Sequence, residues 1–213
     1  MAVINRIAYY QNRNDEVPNQ ELARDLAEHE DRLGIQEIAE NLWNSEPSVQ
    51  SDCLKVLYEI GYLKPELVVD YAGDFLKLLK SRNNRLVWGA MIALSTIAAQ
   101  RAEFLYPHVG EIQRSMDSGS VITRDNGVKV LAAIAAHNDE YRLKIFPYLL
   151  HNLRTCRPKD VPQHAESILP AIDASNRDDF IGTLDQRMED LSGTQVVRVR
   201  KVIKKVKGWD IDD

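Results

Sequence analysis

Small or apolar residues recur at positions p, p+3, p+4 and p+7 in five blocks along the chain. The blocks begin at Cys53, Ala90, Gly127, Ala165 and Val199, at intervals of 37, 37, 38 and 34 residues. This spacing places four side chains on one face of an α-helix. The sequence therefore predicts five amphipathic helices in a repeating register.

A second apolar column repeats at the same period between these blocks. Its members are Ile38 and Leu42, Phe75 and Leu79, Ile112 and Met116, and Leu149 and Leu153. In the fifth copy, Arg187 occupies the expected apolar position. The column predicts a first helix in each unit. The chain should then contain five helix pairs, at about residues 34–62, 65–100, 102–137, 140–174 and 177–208, after a cap (1–33) and before an acidic tail (209–213).

A helix pair of this length cannot bury its own apolar face, so neighbouring pairs must stack on it and share one continuous core. We therefore expect a single all-α solenoid domain over residues 1–213, a right-handed α-α superhelix. Leu22, Ala23 and Leu26 predict a short amphipathic helix in the N-terminal cap.

The repeat resembles the HEAT repeats of the HEAT/armadillo class. The resemblance lies in the period of about 37, the small-xx-apolar-apolar-xx-Ile pattern of the second helix, and prolines inside first helices at Pro107 and Pro147. The polar turn from Ser81 to Val87 is similar to the one that leads into the family's second helix. The resemblance as a whole covers about 175 of the 213 residues. It implies the fold, and a binding role only by analogy.

Composition narrows the class of protein further. No run of 18 apolar residues occurs, the first residues lack a secretory signal, and Cys53 and Cys156 form no CxxC pair. We expect a cytoplasmic protein with no membrane segment, and Cys53 as a core residue. No phosphate-binding glycine loop, HExxH or GxSxG motif is present, which favours a non-enzymatic protein without a cofactor.

One HxxE pair, His108 with Glu111, has the spacing used by carboxylate-bridged metal sites. A second such pair is missing. We therefore interpret it as a surface histidine near a chance glutamate and predict no metal site.

The inner, concave face of such a solenoid is lined by second helices. At equivalent positions of four units stand Ser51, Trp88, Asp125 and Gln163. A large aromatic beside a cation can anchor a partner, so the candidate binding residues are Tyr58, Arg85, Trp88, Asp125 and Lys129. The alternative is that Trp88 simply packs between layers, as a tryptophan in so apolar a helix commonly does.

Charge is distributed unevenly along a chain whose net charge is −5. Ten acids and two bases lie between Asp15 and Glu46, whereas the stretch from Val196 to Lys207 has six bases and no acid. The basic candidates in that terminal helix are Arg198, Arg200, Lys201, Lys204 and Lys205. They could bind phosphates or an acidic partner, or they could form a solvated cap. The opposite charges of the two ends also allow a homo-oligomer.

Two functions remain open from the sequence. The leading one is a scaffold that holds an unidentified protein or peptide on the concave face. The alternative rests on a similarity in size to bacterial HEAT-like DNA glycosylases that remove alkylated bases, whose catalytic Asp lies beside tryptophans in a basic groove. That resemblance implies Asp125 as the loose candidate here, and the family's Trp-xxx-Asp spacing occurs only at Trp209 to Asp213. The net negative charge disfavours nucleic acid as the partner.

Overall fold

A computed structural model describes residues 2–208. All regular secondary structure in that range is helical, which confirms the all-α prediction. The α-helices are α1 (Val17–Glu28), α2 (Arg32–Glu40), α3 (Pro47–Leu63), α4 (Ala72–Leu78), α5 (Asn84–Ile97), α6 (Ala102–Leu105), α7 (Val109–Ser118), α8 (Val121–Ala135), α9 (Asp139–Thr155), α10 (Val161–Ile168), α11 (Arg177–Arg187) and α12 (Thr194–Lys207). The acidic tail and its Trp209 to Asp213 spacing lie outside the described residues.

Two compact units make up the chain, one ending at Val130 and the other beginning at Leu131. In the N-terminal unit α3 packs on α1, α2 and α5, and α4 packs on α5. Leu22, Ala23 and Leu26 of α1 are buried, and α1 packs on α3.

Small residues allow the helices of the N-terminal unit to approach closely. A Cβ on Gly89 of α5 would lie 2.7 Å from Leu54 Cδ2 on α3, and one on Gly127 would lie 2.3 Å from Met116 Cγ. Both distances are well inside van der Waals contact, so a larger residue would force the neighbouring side chain or the helix to shift. The buried Cys53 belongs to the same core, and burial raises the pKa of its thiol to about 12.

The residues before α1 are held in place by carboxylates and one amide. The Glu37 carboxylate accepts hydrogen bonds from the backbone N–H groups of Val3 and Ile4, both at 3.1 Å. The buried Asn19 side chain accepts from the Ala8 N–H at 2.9 Å and donates to Asp52 at 2.9 Å. These bonds provide acceptors for backbone N–H groups that would otherwise have no hydrogen-bond partner.

Prolines occur in two first helices, and only one of the two helices is interrupted. Pro107 lies in a 3-10 turn, Tyr106–His108, which separates α6 from α7. Pro147 lies inside α9, which continues through it. Proline has no N–H to donate, and at Pro107 the α-helix is broken. At Pro147 the helix continues despite the missing donor. None of the helices within residues 2–208 is long and apolar enough to cross a membrane.

In the C-terminal unit α9 packs on α10 and α11, and α12 packs on α10 and α11. Arg187, the polar exception in the apolar column, is only 8% exposed. Its guanidinium donates to the carbonyl oxygens of Leu153 (2.7 Å), Arg154 (2.8 Å) and Cys156 (2.9 Å), and to Asp190 (2.8 Å). A cation therefore satisfies the carbonyls at the end of α9, where the helix dipole is negative.

Candidate functional site

Three of the five predicted binding residues meet in one depression between α3 and α5. We call it the Trp88 depression; its volume is only about 10 Å³, so it is a shallow surface and not a pocket that encloses a ligand. Its lining comprises Glu16, Ser51, Leu54, Lys55, Tyr58, Arg85, Trp88 and Gly89. Trp88 is half-buried, so its ring both packs against the helices and remains partly open to a partner. The two interpretations of Trp88 from the sequence are thus compatible.

Lys55 lies at the centre of the charges on one side of the Trp88 depression. Its Nζ is 2.8 Å from Glu16 Oε2, 2.7 Å from Glu59 Oε1, and 4.9 Å from the centroid of the Tyr58 ring. Burial opposes the charge of this lysine, but the hydrogen bonds to Glu16 and Glu59 outweigh it, and its pKa is raised. Lys55 is therefore an internally compensated cation.

Arg85 has a different role from Lys55. Its side chain is exposed, and within residues 2–208 its guanidinium forms no ion pair. Planar guanidinium groups bind carboxylates through two parallel hydrogen bonds. Arg85 is thus the charge that the Trp88 depression can offer to a partner.

An aromatic surface continues from the Trp88 depression along α3. Burial raises the pKa of the Tyr58 hydroxyl, and Tyr62 lies edge-on to Tyr58 with ring centroids 6.2 Å apart. Tyr62 is 56% exposed. Sequence reasoning missed Tyr62, Lys55 and Glu16. The i, i+4 spacing of Lys55 and Glu59 could have shown their pairing, whereas Glu16 reaches the site only through the packing of the cap.

Asp125 and Lys129 lie on α8 and are not among the residues that line the Trp88 depression. Lys129 donates to Asn126 Oδ1 at 3.2 Å, and Ser95 of α5 also contacts this oxygen, at 3.5 Å. Asp125 is half-buried and interacts with another group of the chain. Ser51 and Gln163, at the equivalent positions of their units, are half-buried as well.

The basic terminal helix α12 buries one stripe of valines, Val199, Val202 and Val206. Arg198 pairs with Glu166 through two hydrogen bonds of 2.9 and 2.6 Å, which raise the pKa of Arg198. The other predicted bases, Arg200, Lys201, Lys204 and Lys205, are exposed and form no ion pair within the described chain. They create a local positive potential on the C-terminal unit.

In the HxxE pair, Glu111 lies closer to Lys80 than to His108. Glu111 Oε2 is 3.3 Å from Lys80 Nζ and 4.0 Å from His108 Nδ1. Among residues 2–208 no three His, Cys, Asp or Glu side chains cluster in a way that could hold a metal ion.

A cavity of about 410 Å³ between α9 and α11 was not anticipated from the sequence. Its wall includes Arg142, whose Nη1 bridges Asp139 (2.6 Å) and Asp173 (2.5 Å). Leu143 and Phe146 add an apolar side. Because the arginine already neutralises two of the carboxylates, this cavity offers a partner less charge than its composition suggests.

Comparisons with solved structures support the fold. An engineered protein matches with a TM-score of 0.68 at 18% identity, covering 98% of each chain. A designed armadillo repeat protein in complex with the peptide (KR)4 also has a TM-score of 0.68, at 13% identity, over 87% of this chain and 85% of that one. A computationally designed armadillo repeat protein for modular peptide recognition has a TM-score of 0.66 at 14% identity, over 96% of this chain and 98% of that one.

No family model and no curated protein matches the sequence. At these identities the structural matches show the fold alone. The chain therefore has the HEAT/armadillo-like solenoid fold that the repeat pattern predicted.

Proposed function

We propose that the chain is a non-enzymatic binding scaffold, which holds a peptide or a segment of a protein on the Trp88 depression. The observation that carries this proposal is the meeting of Trp88, Arg85 and Tyr58 at one depression between two second helices. Tryptophan, tyrosine and arginine are the residue types most enriched where interfaces derive their binding energy.

The charges of the depression favour one class of partner. Lys55 is already paired with Glu16 and Glu59, which leaves Arg85 as the cation of this surface that has no ion pair in the described chain. A matching segment would place an Asp or Glu side chain against Arg85 and an apolar side chain on the Trp88 ring. One of the structural neighbours holds a basic peptide, (KR)4. The partner of this chain should differ from it in charge.

Selection from a displayed library of random peptides tests the proposal. Peptides enriched on the wild-type protein should combine an acidic residue with a neighbouring apolar one. Arg85→Glu should weaken their binding about tenfold or more, which corresponds to about 1.4 kcal/mol. Because Arg85 is exposed, this variant should fold normally.

Lys205→Glu, an equal change of charge on the exposed face of α12, is the matched control and should leave the affinity unchanged. Trp88→Phe should weaken the same peptides, and its melting temperature separates lost contact from lost packing. The proposal fails if no peptide is enriched, or if the enriched peptides bind Arg85→Glu and Trp88→Phe as tightly as the wild type.

The DNA-directed alternative remains a prediction from the resemblance. It requires the chain to bind DNA at low salt, where phosphate contacts are strongest, and to release alkylated bases in a manner abolished by Asp125→Asn. Absence of DNA binding at low salt would end it.

A further inference from the structure

A second cavity of the N-terminal unit lies between the first helices α2 and α4. We call it the Trp43 cavity. Its volume is about 340 Å³, and its lining comprises Gln36, Ala39, Glu40, Trp43, Tyr71 and Asp74. Two aromatic rings and two carboxylates therefore face one small space. It shares no residue with the Trp88 depression.

The chain itself places a cation on one of these rings. Lys77 Nζ lies 5.7 Å from the centroid of the Trp43 ring and 3.1 Å from Asp74 Oδ1. Trp43 is 51% exposed, and the Lys77 side chain is 68% exposed. A flexible surface lysine costs little to displace, since exposed ion pairs contribute little to stability. The Trp43 face and Asp74 thus form a place where an ammonium group is stable and exchangeable.

Glu40 adds a second negative charge to the lining of the Trp43 cavity. Burial raises the pKa of the Tyr71 hydroxyl, and the nearby charges of Asp70 and Glu40 raise it further, whereas Arg32 opposes them. Glu40 Oε1 already accepts a hydrogen bond from Gln36 at 2.9 Å. The carboxylates of Glu40 and Asp74 therefore supply negative potential while each is already engaged in a hydrogen bond.

We propose that the Trp43 cavity binds an N-methylated ammonium group. Such a cation has an apolar surface, and in its quaternary form it has no N–H that needs an acceptor. It is attracted to the faces of aromatic rings and to negative potential, which are the two features that this cavity combines. The site is independent of the proposed peptide-binding function, because its residues lie on α2, α4 and the adjoining 3-10 turns and none of them lines the Trp88 depression.

Nuclear magnetic resonance of the full chain can test this directly. The three tryptophans give three indole N–H signals, and Trp43→Phe identifies the one from Trp43. Tetramethylammonium should shift the Trp43 signal in a saturable manner and leave that of Trp88 in place. Neopentyl alcohol, a neutral molecule of similar shape, should not reproduce the shift at equal ionic strength. A shift that never saturates, or that the neutral probe reproduces, would overturn the proposal.

Three variants test the chemistry of the Trp43 cavity with the same signal. Glu40→Gln and Asp74→Asn should each weaken tetramethylammonium binding about two- to fivefold, the size of a single exposed cation interaction. Lys77→Met should tighten it by a similar factor, because it removes the competing ammonium. Glu28→Gln, an exposed carboxylate of α1, is the control and should change nothing. Weaker binding by Lys77→Met, or equal effects of Glu28→Gln and Glu40→Gln, would contradict the assignment.

Choline and a short peptide with one trimethyllysine then distinguish the source of the group. Similar affinities indicate that the headgroup alone is recognised, whereas a tighter peptide indicates a modified protein side chain. If neither binds although an arginine peptide does, the assignment to N-methylated ammonium is wrong.

Discussion

Carboxylates of the N-terminal unit and bases of the terminal helix α12 contact the rest of the chain in different ways. Glu37 accepts two backbone N–H groups, and Asp52 accepts the Tyr9 N–H at 2.8 Å as well as the Asn19 amide. In α12 only Arg198 forms an ion pair within the described residues, and it does so at the surface. Charged side chains thus have a structural role in one region and remain available to solvent in the other.

The difference follows from what lies near each charge. The segment before α1 consists largely of two short 3-10 turns, Val3–Arg6 and Tyr9–Gln11, and the N–H groups at the start of each turn need acceptors from elsewhere. The backbone N–H and C=O groups of α12 form hydrogen bonds with one another along the helix, so no side chains are needed to pair with them. Arg187 shows that a base of the C-terminal unit becomes structural as soon as it faces the open carbonyl end of a helix.

The largest predicted effect is that of Arg187→Met. Methionine keeps the apolar stem but leaves the carbonyls of Leu153, Arg154 and Cys156 without their donor, so we expect a loss of about 3 kcal/mol in the free energy of unfolding. Urea denaturation measures it. Arg200→Met, the same change on the exposed face of α12, should cost less than about 0.5 kcal/mol. Equal losses would contradict the distinction between structural and solvated bases.

A smaller loss is expected from Asn19→Ala. The change leaves the buried Ala8 N–H without an acceptor and removes one partner of Asp52, at a cost of about 2 kcal/mol. Hydrogen exchange at the Ala8 and Tyr9 amides should accelerate much more than exchange in α5. Asn5→Ala, at an exposed position of the same segment, serves as the control. Unchanged exchange at Ala8 would show that the segment is held by other contacts.

The smallest effect concerns the bases of α12. Lys204→Gln combined with Lys205→Gln should change the free energy of unfolding by less than about 0.5 kcal/mol, because neither lysine has a structural partner in the described chain. If these bases bind an acidic or phosphorylated partner, the same double variant should weaken that binding, and added salt should mimic it. A loss of stability above 1 kcal/mol would assign them a structural role.

The sequence predicted those features that depend on helical periodicity. The anchors Cys53, Ala90 and Gly127 are all buried, because a repeat of four apolar positions determines which face of each helix packs inward. Arg187 departs from the apolar column, and periodicity alone assigns it no role. Periodicity cannot show that a guanidinium will find three carbonyls on another helix.

Helical periodicity predicted less of the Trp88 depression and of the Trp43 cavity. Tyr58, Arg85 and Trp88 were found together because they lie in register on second helices, whereas Glu16 lies just before α1 and reaches them only through the fold of the cap. Trp43 ends a 3-10 turn outside both apolar columns, so no repeat position pointed to it or to the Trp43 cavity. Contacts made by turns depend on tertiary packing, which spacing along the chain does not encode.

A charge-reversal cycle on the Trp88 depression tests the central claim most directly. A selected acidic peptide and its Lys-substituted counterpart are titrated against the wild type and Arg85→Glu, and four dissociation constants give the coupling between the two charges. We expect Arg85→Glu to lose the acidic peptide and to bind the Lys-substituted one better than the wild type does, with a coupling of about 1.5 kcal/mol or more. Additive effects, with no recovery in the reversed pair, would contradict the assignment of Arg85 and Trp88 as the binding surface.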